Sequence, residues 1–225
     1  MSIRLVKGQI ISLENSDGTP LSDICVGCGW GAIVRNTGFL NLTKKIEEID
    51  IDLSVVMYDG EGRLVDHLYS PLYRLDFLRR YGLPQGKVYS KDRALHHSGD
   101  ERTGTTSPEQ HYDNEVVTVD LDKISPEIHT IFFFLNNCGR EDFLIIPNVH
   151  IRIYVGTPTK VNSVIASYRI PHSKHLAGTT AMVMGKLERS DNGWIFTAIG
   201  DAYSDPNICE TIGRISQHYI HQTTI

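Results

Sequence analysis

The chain has 225 residues, 40% of them hydrophobic, enough to build one large all-β domain or two small domains with a real core. Its net charge of -5, with 22 basic residues scattered rather than grouped, provides no basic face for nucleic acid. No uncharged apolar run of about 18 residues occurs, and the opening MSIRLVKGQIISLE lacks the apolar core and cleavage site of a secretory signal, so a cytoplasmic location is expected. Cys25, Cys28, Cys138 and Cys209 are too few and too dispersed for a disulfide framework and fit a reducing compartment.

In chain order, strand patterns run through QIISL at 9–13, DLSVVMY at 52–58, EVVTVDL at 115–121, HTIFFFL at 129–135, VHIRIYV at 149–155, SVIASYRI at 163–170, AMVMGKL at 181–187 and WIFTAIGDAY at 194–203. Turn signals such as NSDG at 15–18, YDGEG at 58–62 and SDNG at 190–193 separate them. No long helical pattern alternates with the strands, so a parallel α/β sheet is disfavoured. The expected fold is all-β, a two-sheet antiparallel β-sandwich with a few short helices. One helical turn is predicted in SPEIHT at 125–130, where Ser125 precedes Pro126. The stretch 69–84 has leucines at helical spacing and ends at Gly82 and Pro84, and reads as a decorating insertion. From Pro206, Ile208, Ile212 and Ile215 share a face of a short closing helix. The predicted organisation is therefore a single domain over 1–204, with a C-terminal helix and tail over 205–225.

Chemistry concentrates in HHSGDERTG at 96–104 and DNE at 113–115, which offer Asp100, Glu101, Thr103, Asp113, Asn114 and Glu115, with Gly99 and Gly104 allowing tight turns. Calcium takes six to eight oxygens from such loops. Asp50 and Asp52 add two carboxylates to one side of an extended chain, since residues two apart share a strand face. The same composition serves a solvated turn, the reading that composition by itself favours, and the twelve-residue EF-hand spacing is absent. On composition alone both readings stand.

Other patterns read as structure. The CxxC of Cys25 and Cys28 lacks two further zinc ligands and a strand-to-helix setting for redox chemistry, so structural thiols are expected. His96 and His97, adjacent on a strand, point to opposite faces. Trp30, Trp194 and Phe132 to Phe134 are assigned to core packing. Nucleophile-elbow, phosphate-loop and zinc-protease motifs are missing.

Longer segments, taken in order, carry a resemblance. GQIISL followed by CVGCGWG, then IDIDLSVVMYDGEG, HSGDERTG, DNEVVTVDLDKISPEIHTIFFFLN and AMVMGKLERSDNGWIFTAIGDAY resemble successive motifs of the tellurium-resistance TerD/TerZ-type stress-protein family. The resemblance implies a β-sandwich, no catalytic activity, and calcium held by Asp50, Asp52, Asp100, Thr103, Asp113 and Glu115, with Glu101 and Gly104 adding a side-chain or backbone oxygen. It also implies partners among other tellurium-resistance proteins, at the inner face of the membrane. Departures are Glu101 in place of the family's Asn, Arg102 within the loop, Asn114 in place of an acid, and the longer, less acidic TTSPEQHY at 105–112. Fewer acids predict weaker calcium binding or one site fewer. Two other functions fit the same acids: a magnesium- or manganese-dependent enzyme acting on a phosphate-bearing ligand, and a metal-free scaffold of the same fold.

Overall fold

A computed structural model of the chain describes residues 2–37, 43–99, 113–139 and 141–220. In chain order the strands are β1 (Ile3–Arg4), β2 (Ile10–Ser12), β3 (Asp23–Gly29), β4 (Ile33–Thr37), β5 (Thr43–Glu47), β6 (Ile51–Tyr58), β7 (Leu64–Leu68), β8 (Leu95–His97), β9 (Glu115–Asp120), β10 (Thr130–Asn137), β11 (His150–Thr157), β12 (Lys160–Arg169), β13 (Ala181–Ser190) and β14 (Gly193–Tyr203). Helix α1 (Leu75–Arg80) follows β7, and α2 (Ile208–Ile215) follows β14.

The strands form two six-stranded sheets, ordered β1-β12-β11-β3-β9-β8 and β2-β14-β13-β10-β6-β7, with β4 and β5 as a separate ribbon. Their pairings are antiparallel except β1 with β12. The architecture is the all-β sandwich expected from the sequence.

Strand β6 shows how the layers are built. Ile51, Leu53, Val55 and Met57 point between the sheets, where they join Val26, Cys28, Val117, Ile151, Phe133 and Trp30 in the main core. Val56 and Tyr58 point outward into a second cluster with Phe132, Phe134, Leu78, Ile208 and Ile212. Both faces of β6 are therefore buried, because α1 and α2 cover the outer side of its sheet. That cover explains why the VVMY end of β6 and the FFF of β10 read as continuous apolar runs rather than alternating ones.

The eight strands read from the sequence are all present. Strand β3 escaped because two cysteines and two glycines dilute its β-branched pattern. SPEIHT does not form the predicted helical turn; Pro126 and Glu127 make a single turn, closed by the Ile128 amide on the Ser125 carbonyl at 3.0 Å, before the chain enters β10. The His129 amide is drawn to the Tyr58 carbonyl of β6 at 2.8 Å instead of continuing a helix, and the Arg189 guanidinium pins the turn by donating to the carbonyls of Ile124, Ser125 and Ile128 at 2.7–2.9 Å. Within 69–84 the helix is limited to α1, and Gly82 ends that stretch with a positive φ of 71°. No helix among the described residues is long and apolar enough to cross a membrane.

Candidate functional site

Residues two apart on β6 share a face, so Asp52 and Ser54 stand on the outer side with Val56. Asp52 is buried, and its Oδ2 accepts two hydrogen bonds from other elements: Tyr73 Oη–H at 2.6 Å and Cys138 Sγ–H at 3.2 Å. Tyr73 belongs to the segment between β7 and α1. Gln85 fixes its main chain by donating Nε2 to the carbonyls of Pro71 (2.6 Å) and Tyr73 (3.1 Å), and Tyr69 meets its ring edge-on. Burial first, and the Asp52 charge second, push both the Tyr73 phenol and the Cys138 thiol well above their ordinary ranges. Both are held as proton donors, the Cys138 sulfur included, although that residue as a whole is exposed.

Asn136 pairs directly across from Asp52 in the β10–β6 ladder. Its Nδ2 donates to Thr211 Oγ1 of α2 at 2.9 Å, while its buried Oδ1, like Ser54 Oγ, finds no hydrogen-bond partner among the described residues. Asp50, one turn of the strand pattern earlier, is half-buried, and its carbonyl accepts from the Cys138 amide at 2.9 Å. This corner thus gathers hard oxygen donors, the donor type that calcium or magnesium takes.

Glu115 opens β9 on the opposite sheet and points inward, as Val117 and Val119 do. Its Oε2 accepts the Leu53 amide at 2.6 Å, and His97 Nε2 lies 3.1 Å from the Leu53 carbonyl. The Gly99 amide donates to His97 Nδ1 at 3.1 Å, which places the ring hydrogen on Nε2, facing Leu53. Strand β7 pairs with β6 only from Val55 onward, so these two side chains satisfy backbone groups that the ladder leaves open at Leu53. Nearby, the Trp30 indole donates to the Ile49 carbonyl at 2.9 Å and its amide to Asn114 Oδ1 at 2.8 Å. Both flanks of the 100–112 segment are consequently fastened beside the entrance of β6.

Asp113 takes a third direction. Arg152 Nε donates to its two carboxylate oxygens at 2.7 and 2.9 Å, and His150 Nε2 lies 3.6 Å away. The carboxyl group lies where a Cβ on Gly27 would be, on the outer face of the sheet containing β3. Asp52, Glu115 and Asp113 therefore enter three different layers of the molecule. No group of three or more His, Cys, Asp or Glu side chains able to hold a metal occurs among the described residues. Asp100, Glu101, Thr103 and Gly104 lie outside the described residues.

Cys25 and Cys28 are free, buried thiols on opposite faces of β3, one with Tyr154 and Val116, the other in the main core. Burial pushes both thiols up, so neither is a ready nucleophile. His96 stacks on Tyr89 while His97 turns inward, the divergence expected of neighbours on a strand. Reading the sequence missed Tyr73, Cys138 and Asn136. The same-face rule applied from Asp52 across to β10 would have found Asn136 once the pairing register was known; Tyr73 carried no local signal.

The TerD domain model matches residues 1–210. The stress response protein SCP2 of Bacillus subtilis is 28% identical over 220 residues, covering 95% of this chain and 99% of its own length. The tellurium resistance protein TerZ of Serratia marcescens is 26% identical over 200 residues, covering 89% and 90%. A crystal structure of a homologue of telluride resistance protein (TerD) from Streptomyces coelicolor A3(2) superposes with a TM-score of 0.54 at 17% identity, covering 82% of this chain and 92% of that one, and has the same fold. The chain belongs to the TerD domain family.

Proposed function

We propose that this protein is a cytoplasmic, non-enzymatic, calcium-binding member of the stress and tellurite-resistance group to which its relatives' names refer. In this reading Asp50 and Asp52 hold the cation with Asp100, Glu101, Thr103 and Gly104. Asp113 and Glu115, implied as ligands by the family resemblance, act instead as anchors for the segment between them, since Arg152 already neutralises one and the Leu53 amide occupies the other.

The observation that carries the reading is the pair of hydrogen bonds that Glu115 and His97 make to the amide and carbonyl of Leu53, the residue after Asp52. It brings the flanks of the oxygen-rich segment to the strand that bears Asp52 and follows Asp50. Calcium would offset the repulsion among these acids and order the surface beside them. That surface includes a groove of about 360 Å³ lined by Leu72, Tyr73, Arg74, Asp76, Phe77 and Arg80. It shares Tyr73 with Asp52, and its arginines suit an acidic partner protein or anionic lipid at the inner membrane face.

Calorimetric titration of chelator-stripped protein, paired with melting curves in calcium, magnesium and chelator, tests the proposal. Wild type should show a saturable calcium response exceeding that of magnesium, and Asp52→Asn or Asp50→Asn should weaken it by about tenfold or more. Variants that respond like wild type would remove these residues from the site. Equal responses to magnesium would favour the metal-dependent enzyme, and no response to either ion the metal-free scaffold.

A further inference from the structure

We infer that Tyr73 and Cys138 are positioning residues that aim Asp52 at its cation, so that the 69–84 segment is a working part of the metal site. The inference rests on the calcium reading above. An aspartate carboxylate rotates about its last torsion unless something holds its plane. Here two donors from separate parts of the chain converge on one oxygen, Oδ2, with Tyr73 Oη at 2.6 Å and Cys138 Sγ at 3.2 Å. The two donor atoms are themselves 3.7 Å apart, so they brace one another. Oδ1, which takes neither of these bonds, is left as the oxygen through which Asp52 ligates. Partners that orient a ligand in this way are worth roughly 10–100-fold in metal affinity.

The segment is built to hold Tyr73 still. Gln85 ties down the carbonyls of Pro71 and Tyr73, Tyr69 Oη donates to the Pro84 carbonyl at 2.7 Å, and Leu78 of α1 is fully buried against the outer cluster. Cys138 is fixed from the other side by the hydrogen bond its backbone amide donates to the Asp50 carbonyl at 2.9 Å, which ties both acidic positions to one short stretch after β10. The orphaned, buried Oδ1 of Asn136, whose residue pairs with Asp52 across the ladder, leaves an acceptor at this corner that a donor or cation would satisfy.

Calcium affinity should be measured by calorimetry for wild type, Tyr73→Phe, Cys138→Ala and Cys138→Ser, with melting of each in chelator. Tyr73→Phe keeps the ring and removes only the donor, and should raise the calcium Kd about tenfold. Cys138→Ala should weaken binding, while Cys138→Ser, which retains a hydrogen to donate, should recover most of the loss. A purely structural role would lower melting in chelator and leave the Kd unchanged. Unchanged or tighter binding by Tyr73→Phe and Cys138→Ala, with wild type binding normally, overturns the inference alone. Failure of wild type to bind calcium overturns both it and the reading on which it rests.

Discussion

At Gly27 the absence of a side chain is what lets a carboxylate lie flat on a sheet. A Cβ built there would stand 2.1 Å from Asp113 Oδ2 and 2.2 Å from its Cγ, both far inside contact distance. Asp113 is nearly excluded from solvent, with a side-chain exposure of 2%, and depends on Arg152 for its charge balance. Pushing it aside would leave a desolvated guanidinium and a carboxylate without their mutual bonds, and breaking one partner from a buried pair costs about 3–5 kcal/mol. Gly27→Ala should therefore lower stability in urea unfolding by about 3 kcal/mol. Adding Asp113→Ala to Gly27→Ala should remove the clash without restoring the loss, because Arg152 is left desolvated without its carboxylate, so the two substitutions should be less than additive. A single variant within about 0.5 kcal/mol of wild type would mean the ion pair relocates at no cost. The glycine was visible in CVGCGWG, but the reason for it was not, since Asp113 reaches it from a distant part of the chain.

Among the elements, what was legible depended on how much of the pattern was local. Strands β6, β10 and β13 announce themselves through dense apolar runs, and α2 through isoleucines spaced along one face. Strands β7 and β8 are short and partly polar, because one closes a sheet edge and the other carries the paired histidines. SPEIHT had a good helix-start signature, overridden by the bond of the His129 amide to the Tyr58 carbonyl of β6, with the Arg189 guanidinium from β13 pinning the turn. The start of α2 is different: Asn207 accepts from the amides of Cys209 at 3.0 Å and Glu210 at 3.2 Å, a local cap that needs no tertiary help. Asn207→Ala should cost about 1 kcal/mol in thermal or urea unfolding. Asn207→Asp should be nearly neutral, since a carboxylate accepts the same two bonds at a helix start. If the alanine variant melts like wild type, the packing of Ile208, Ile212 and Ile215 alone seats the helix.

Across the whole molecule, the acids were all readable in the sequence, whereas the layer each one enters was not. Alternation puts Asp52 outside its sheet and Glu115 inside the sandwich, and it breaks at Asn114, whose amide bonds the Cys28 carbonyl at 2.8 Å and lets Asp113 swing to the far face. Glu115 is then the joint between the two sheets at this end, since β9 and β6 belong to different sheets and its carboxylate reaches the Leu53 amide. Whether it also belongs to the proposed calcium site can be decided by two substitutions. Glu115→Ala would bury the Leu53 amide without an acceptor, at a cost of about 1–3 kcal/mol, and should weaken calcium binding through the loosened segment. Glu115→Gln keeps an acceptor oxygen for Leu53 while removing the charge, so an anchor predicts nearly wild-type calcium affinity by calorimetry and a small change in melting. A direct ligand predicts the reverse, because calcium affinity follows the number of carboxylate charges around the ion. A large loss of affinity in Glu115→Gln would therefore move the cation inward, from the outer corner at Asp52 to the seam between the sheets.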